Sequence, residues 1–247
     1  MTSGASDVKS KLIAVIERAE ADQAALVAQV SDAEKAAIGE PDRWTVKDQI
    51  AHLNFWRDDA LRRLVALRDG AEAPAPLTED DDVLNARNFA KYQHTPWSEI
   101  ISESDRLFGE AKRIIGQLTD AQLTEPQQSA SGDGRTRSDR FVADYMEHPS
   151  EHLAQVYRGR GDTARAEEQE RATVQVIREL SGQRWTIYGY ALYNLGCSYA
   201  RHGETAKAIA AIGEALPLVP ALVEWSRKDP DLDALRDIPA FQALYNK

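Results

Sequence analysis

A single cysteine, Cys197, stands in the 247-residue chain, so no intramolecular disulfide forms and no cysteine-based zinc cluster can be assembled. Long apolar runs are missing too: none approaches the roughly 18 to 20 residues that cross a bilayer, which argues against a membrane protein. The first residues are polar and lack an apolar leader, so a cytoplasmic location is expected. Positive charge is in deficit. A formal net charge of -10 leaves no concentrated basic surface to displace phosphate counterions, and nucleic acid is not expected as a partner. Neither a phosphate-cradling glycine loop, a dinucleotide fingerprint nor a nucleophile elbow is found, which argues against the common nucleotide-dependent activities.

Alternating β-branched runs are absent as well, whereas apolar residues recur at three- and four-residue spacing almost throughout. This predicts an all-α protein. A first helix is expected over 7–30, capped by Ser6, with Leu12, Ile16, Ala19, Leu26 and Val30 on one face. A second is expected from Thr45, a good cap, to about residue 69, where Gly70 stops it. Its apolar stripe is Val46, Ile50, Leu53, Ala60, Leu64 and Leu67. The acids of 79–82 fit the first turn of a short helix over 83–93, where carboxylates complement the helix dipole. Pro96 suits the first position of a third long helix carrying Ile100, Ile101, Leu107, Phe108, Ile114, Ile115 and Leu118. The polar stretch 127–137 reads as a mobile loop, and a fourth long helix is expected over 141–157. Four amphipathic helices in this order predict an up-and-down bundle.

The last quarter carries a different signal. With Gly189 as position one, Leu195-Gly196, Tyr199, Ala208, Ala215 and Pro220 fall on the tetratricopeptide (TPR) pattern. A faint echo relates Tyr157-Arg158-Gly159-Arg160-Gly161-Asp162-Thr163-Ala164-Arg165-Ala166 to Tyr199-Ala200-Arg201-His202-Gly203-Glu204-Thr205-Ala206-Lys207-Ala208. Its spacing is too long for a regular tandem array, so similar hairpin chemistry is expected and not a second full repeat. The division that follows is a bundle over 1–160 and TPR-like hairpins over 161–247. One visible repeat unit does not stand alone, so this extension must pack on the bundle or on a partner.

Five histidines are present, and two of them, His148 and His152, lie four apart, on one face of a helix. Two neutral imidazoles so spaced can share a borderline divalent ion, zinc or nickel, and His52 in the second helix is the natural third ligand. Pro149 separates the pair. If the helix begins afresh there, the direction of the His148 ring is unspecified, whereas a kinked helix still lets the pair converge. Trp56, one turn beyond His52, is a candidate pocket wall. Glu151 is a candidate base or outer-sphere acceptor beside His152, although neighbours on a helix point about a quarter-turn apart. His94 and His202 fall at helix boundaries and are expected to be exposed.

Trp44-Thr45-Val46-Lys47-Asp48-Gln49-Ile50-Ala51-His52-Leu53 resembles the second-helix signature of DinB-like proteins, including the branch named for ClbS and DfsB. Leu84-Asn85-Ala86-Arg87-Asn88, with 97–123, is similar to the middle of that branch, which marks Asn85 as a pocket residue. Glu147-His148-Pro149-Ser150-Glu151-His152-Leu153 resembles the fourth-helix histidine pair of metal-binding members. The resemblance implies that His52, His148 and His152 converge on a divalent metal. It also implies thiol transfer to an electrophilic small molecule, or its hydrolysis, in a detoxification or stress role, and a tendency to form homodimers. ClbS-like relatives keep a metal-free hydrolase open. A different class of function also stays open, a binding or adaptor protein whose TPR-like end takes a protein partner.

Overall fold

The computed structural model describes residues 7–75, 77–126, 135–181 and 185–246. In chain order the helices are α1 (Asp7–Val27), α2 (Asp32–Ala36), α3 (Val46–Asp69), α4 (Asp81–Tyr92), α5 (Trp97–Gln117), α6 (Asp120–Thr124), α7 (Arg137–Val142), α8 (His148–Gly159), α9 (Thr163–Ser181), α10 (Trp185–Arg201), α11 (Thr205–Leu218), α12 (Leu222–Ser226) and α13 (Pro239–Gln242). A π-helical segment, Ala143–Glu147, joins α7 to α8, and 3-10 turns at Pro230–Leu235 and Ala243–Tyr245 complete the C-terminal part. Among the described residues there is no strand, only two isolated bridges, Glu40 with Arg43 and Pro126 with Thr136.

Local chemistry sets most boundaries. Thr45 and Asp48 form a reciprocal capping box at the start of α3, and Gly70, at φ 63°, ends it. Asp80 caps α4, with Asp81 and Asp82 in the first turn, as the dipole argument requires. The first helix ends at Val27, short of the expected 30, and Pro96 caps α5 from just outside it. Ser6 and most of the 127–137 stretch lie outside the described residues; Arg137 already belongs to α7, capped by Thr136.

The bundle consists of α1, α3, α5 and the continuous helical path from α7 through α8. Leu12, Ile16, Leu61, Leu64, Leu107, Ile114, Ile115, Tyr145 and Met146 meet in its core with almost no exposure. That core does not stop at the bundle: it runs on through Ile177, Tyr188, Leu192, Ile212 and Leu235 to Phe241.

Helices α8/α9 and α10/α11 are two hairpins with the same corner. In the first, Gly161 (φ 81°) takes the left-handed conformation, Asp162 N donates to Tyr157 O at 2.9 Å and Gly161 N to Arg158 O at 2.8 Å. In the second, Gly203 (φ 77°) does so, with Glu204 N to Tyr199 O at 2.9 Å and Gly203 N to Ala200 O at 3.1 Å. Both are Schellman closures, in which a residue without a Cβ satisfies the last helical carbonyls at little cost. Even the decoration repeats: Arg165 lies 5.4 Å from the Tyr157 ring and Lys207 5.4 Å from that of Tyr199. The echo in sequence is therefore a repeated corner in space.

Close approach of α10 and α11 depends on Gly196, where a Cβ would lie 2.7 Å from Ile212 Cδ1 and 3.3 Å from the Ile212 backbone N. Gly196→Ala should therefore destabilise the protein by about 1–3 kcal/mol through overpacking. Gly109, also helical but with nothing within 4 Å of its Cβ position, provides the contrast. Gly109→Ala should stabilise by about 0.5–1 kcal/mol. Thermal melts of the two variants should shift in opposite directions, and a shared sign would contradict the packing described.

Candidate metal centre

The segment around Trp44 builds one side of the site. Asp48 Oδ2 accepts from Thr45 N at 2.8 Å and from Thr45 Oγ1 at 2.6 Å, which fixes the chain entering α3. Trp44, just before the cap, donates its Nε1–H to Pro41 O at 3.1 Å, and its ring centroid lies 5.1 Å from that of His52. Deeper in α3, Asn54 Nδ2 donates to Ile100 O at 2.9 Å while Ser104 Oγ donates to Asn54 Oδ1 at 2.8 Å. This buried pair locks α3 against α5 and so fixes the rotation that turns His52 inward.

The opposite side comes from α8, and here Pro149 decides the geometry. A proline inside an α-helix clashes with the carbonyl four residues back and removes a donor, at a cost of about 3 kcal/mol. The chain accommodates it by widening to a π-helix just before, where His148 N–H bonds to Ala143 O, five residues back. Backbone angles stay helical through the junction, with His148 at φ -57° and ψ -46°. The helix neither restarts nor breaks, and His148 and His152 remain on one face.

The three imidazoles meet. His52 Nε2 is 3.1 Å from His148 Nε2, and His148 Nε2 is 2.8 Å from His152 Nε2. One ligand nitrogen from each ring lies within 4.8 Å of the others, so the group could hold a metal ion. Two nitrogens bound tetrahedrally to one ion at about 2.0–2.1 Å stand roughly 3.3 Å apart, close to the spacing seen. His152 donates its Nδ1–H to Gln49 Oε1, which leaves the lone pair of Nε2 directed at the group.

Electrostatics favours the neutral, ligating form of the rings. Burial pushes His52 down to about 4. Burial, then the positive charges of His52 and Arg57, push His148 down to about 3, and His152 is lowered well below its ordinary value chiefly by burial. Arg57 is itself fully buried, with its Nη1 donating to Gln23 Oε1 at 2.7 Å and its guanidinium 4.4 Å from the centre of the Phe108 ring. It is a fixed cation in the bundle core and adds to burial in opposing protonation of His148 and His152.

Above the imidazoles opens a cavity of about 310 Å³ lined also by Trp44, Trp56, Asp81, Asn85 and Asp144. Trp56 stands edge-on to both His52 and His148, with centroids 6.3 Å away in each case. Glu151 does not join them: it lies on another face of α8 and lines a separate small cavity with Glu147, Glu170 and Thr173. Burial and the neighbouring Glu147 carboxylate push it up to about 8. His94 and His202 are exposed and line no part of this cavity.

Gln49, Asp81 and Asp144 were not singled out by sequence reasoning. Gln49 precedes His52 by three residues and Asp144 precedes His148 by four, so helical spacing from a histidine was a signal available for both. Asp81 had none beyond its place in the acidic turn.

The sequence pattern that defines the DinB superfamily matches residues 16–156, a stretch that holds α3 and α5 whole, most of α1 and of the α7–α8 path, and all three histidines. No curated protein and no solved structure matches the chain. The match covers more than half of the chain and agrees with its helical architecture, and the chain belongs to the DinB superfamily.

Proposed function

We propose that the protein is a metal-dependent small-molecule enzyme in which His52, His148 and His152 hold one divalent ion, zinc or nickel. The observation that carries this reading is the convergence of three neutral imidazoles, at 3.1 and 2.8 Å between successive Nε2 atoms, beneath an open cavity. When bound, the ion supplies Lewis-acid chemistry, lowering the pKa of a water or thiol toward neutrality. The chain does the rest. Gln49 holds the His152 tautomer, burial, with a smaller contribution from Arg57 at His148 and His152, keeps the rings unprotonated, and Trp44 and Trp56 restrict water around the reacting centre. Thiol transfer to an electrophile and its hydrolysis both suit such a site, and either fits a detoxification or stress role in the cytoplasm. We assign the chain to the ClbS/DfsB branch on the motif around Asn85, a cavity residue; the metal-free hydrolysis known in that branch is the outcome to expect if no metal is retained.

We also propose the division into a bundle over 1–160 and a TPR-like extension over 161–247, supported by the repeated corners at Gly161 and Gly203. Those corners favour a second reading, in which the hairpins present a helical surface to a protein partner or to a second copy of the chain. Among the described residues no helix is long and apolar enough to cross a membrane.

Metal analysis of untagged protein should find about one equivalent of ion, with His52→Ala and His152→Ala near zero while far-ultraviolet circular dichroism is unchanged. A metal-free wild type unaffected by either substitution would sink the proposal. Gln49→Ala should weaken metal affinity by about 10–100-fold, measured by competition with a chelator.

Acid should destabilise the metal-free protein in a defined way. Because His52 titrates at about 4 in the folded state and near its ordinary 6.5 when unfolded, the unfolded chain binds more protons between those values. Stability therefore rises with pH across this window and is lost as pH falls through it, by roughly 3 kcal/mol for a group fully displaced. Chemical denaturation at pH 7 and pH 4 should show the stability gap between wild type and His52→Ala narrowing at the lower pH.

A further inference from the structure

Away from the imidazoles, the cavity walls have one chemical character. Asp144 lies four residues before His148 and is half-buried; Asp81 stands exposed in the first turn of α4; Asn85 follows one turn later. The Asn85 Oδ1 is buried and makes no hydrogen bond. The Trp44 Nε1–H is already engaged by Pro41 O. Among the described residues no lysine or arginine side chain lines the cavity. The walls thus offer two carboxylates, an amide oxygen and two indole rings, a set that matches a donor-bearing cation.

The Asp144 carboxyl is consistent with this. Burial first, then repulsion from Asp59, push it up to about 7, although Arg140, Arg63 and Arg135 pull the other way. A cation inside the cavity favours its ionised form. An anionic group entering would instead meet Asp144, Asp81 and the neighbouring acids Asp80 and Asp82 of the capped turn.

We infer that the substrate of this site carries a protonated amine, held by the carboxylates of Asp144 and Asp81 and the Asn85 Oδ1 between Trp44 and Trp56. The reactive bond then lies against the histidines and the ammonium between Asp144 of the π-helical segment and Asp81 and Asn85 of α4. Charge selects the substrate: neutral isosteres bind weakly, and small carboxylic acids and acid-bearing thiols are rejected at the mouth. The inference rests on reading this cavity as the substrate chamber, but not on which bond is broken.

Isothermal titration calorimetry at pH 8 tests it with three probes of one shape: phenethylammonium, 2-phenylethanol and 3-phenylpropionate. Metal-free protein is the primary sample, because a carboxylate can ligate an ion directly; zinc content is measured on a parallel loaded sample. Phenethylammonium should bind at least about tenfold more tightly than either isostere. Asp144→Asn and Asp81→Asn should each reduce that preference several-fold without changing the affinity for 2-phenylethanol. Asp81 is exposed, so its substitution tests the inference even if Asp144→Asn fails to fold. Equal or tighter binding of an isostere, a preference untouched by Asp81→Asn, or no measurable binding of phenethylammonium at millimolar concentration overturns the inference. Cation preference without zinc retention overturns only the metal reading; zinc retention without cation preference overturns only this one.

Discussion

The rotation of one helix, α8, determines where the chemistry of this protein faces. Successive residues on a helix point about 100° apart, so the order Glu147-His148 and Glu151-His152 presents two surfaces. One carries imidazoles toward α3, and the other carries carboxylates toward α9 and α10. A slip of one residue would exchange them and bring two acids into the bundle in place of two ligands. The π-helical segment before Pro149 sets that rotation, because a single inserted residue advances every side chain beyond it. The proline between the paired histidines is thus accommodated one turn earlier, leaving α8 regular where the ligands lie.

Electrostatics adds a second constraint on the same residues. A buried guanidinium with no carboxylate partner is an expensive feature of a core, and Arg57 leaves its Nε and Nη2 without hydrogen bonds. Its charge and the burial of the site act in one direction, against imidazolium. Three rings crowded at hydrogen-bond distance cannot all present protons to one another, and the Gln49 carbonyl already fixes the proton of His152 on Nδ1. The His152 Nε2 lone pair is thereby left facing the other two rings, where a cation would accept it together with a lone pair from each neighbour.

Much of this was legible in the sequence for identifiable reasons. The stripes of α1, α3 and α5 follow the helical period closely enough that Leu12, Ile16, Ile50, Leu107 and Ile114 could be placed in the core from spacing alone. His148 and His152 announce themselves by a four-residue interval, and the entry into α3 by its capping residues. The π-helix was not legible, since one extra residue inside a long amphipathic pattern barely disturbs the period. Nor were Asp144 and Asp81, because a lone aspartate reads as a solvated or capping residue until the fold shows which cavity it borders. The hairpin echo around Gly161 and Gly203 was legible as similar hairpin chemistry, and both corners close with the same two hydrogen bonds.

The extension bears on the site through the acidic face of α8. Asn194 of α10 donates to Glu147, the residue before His148, and Arg158 at the other end of α8 holds Glu170 of α9, which also accepts from Ser198 of α10 at 2.8 Å. On the bundle side, Gln169 of α9 donates to Asp22 of α1 at 3.0 Å. These bonds grip α8 from behind at both ends, while the apolar core passes without interruption from α1 to Phe241. A bundle alone would leave this half-buried row of acids to pull α8 toward water, and with it the two imidazoles on the opposite face. Packing α9 and α10 against that row fixes the rotation of the histidine helix from outside the bundle, so these helices are part of how the site is held whether or not they also meet a partner.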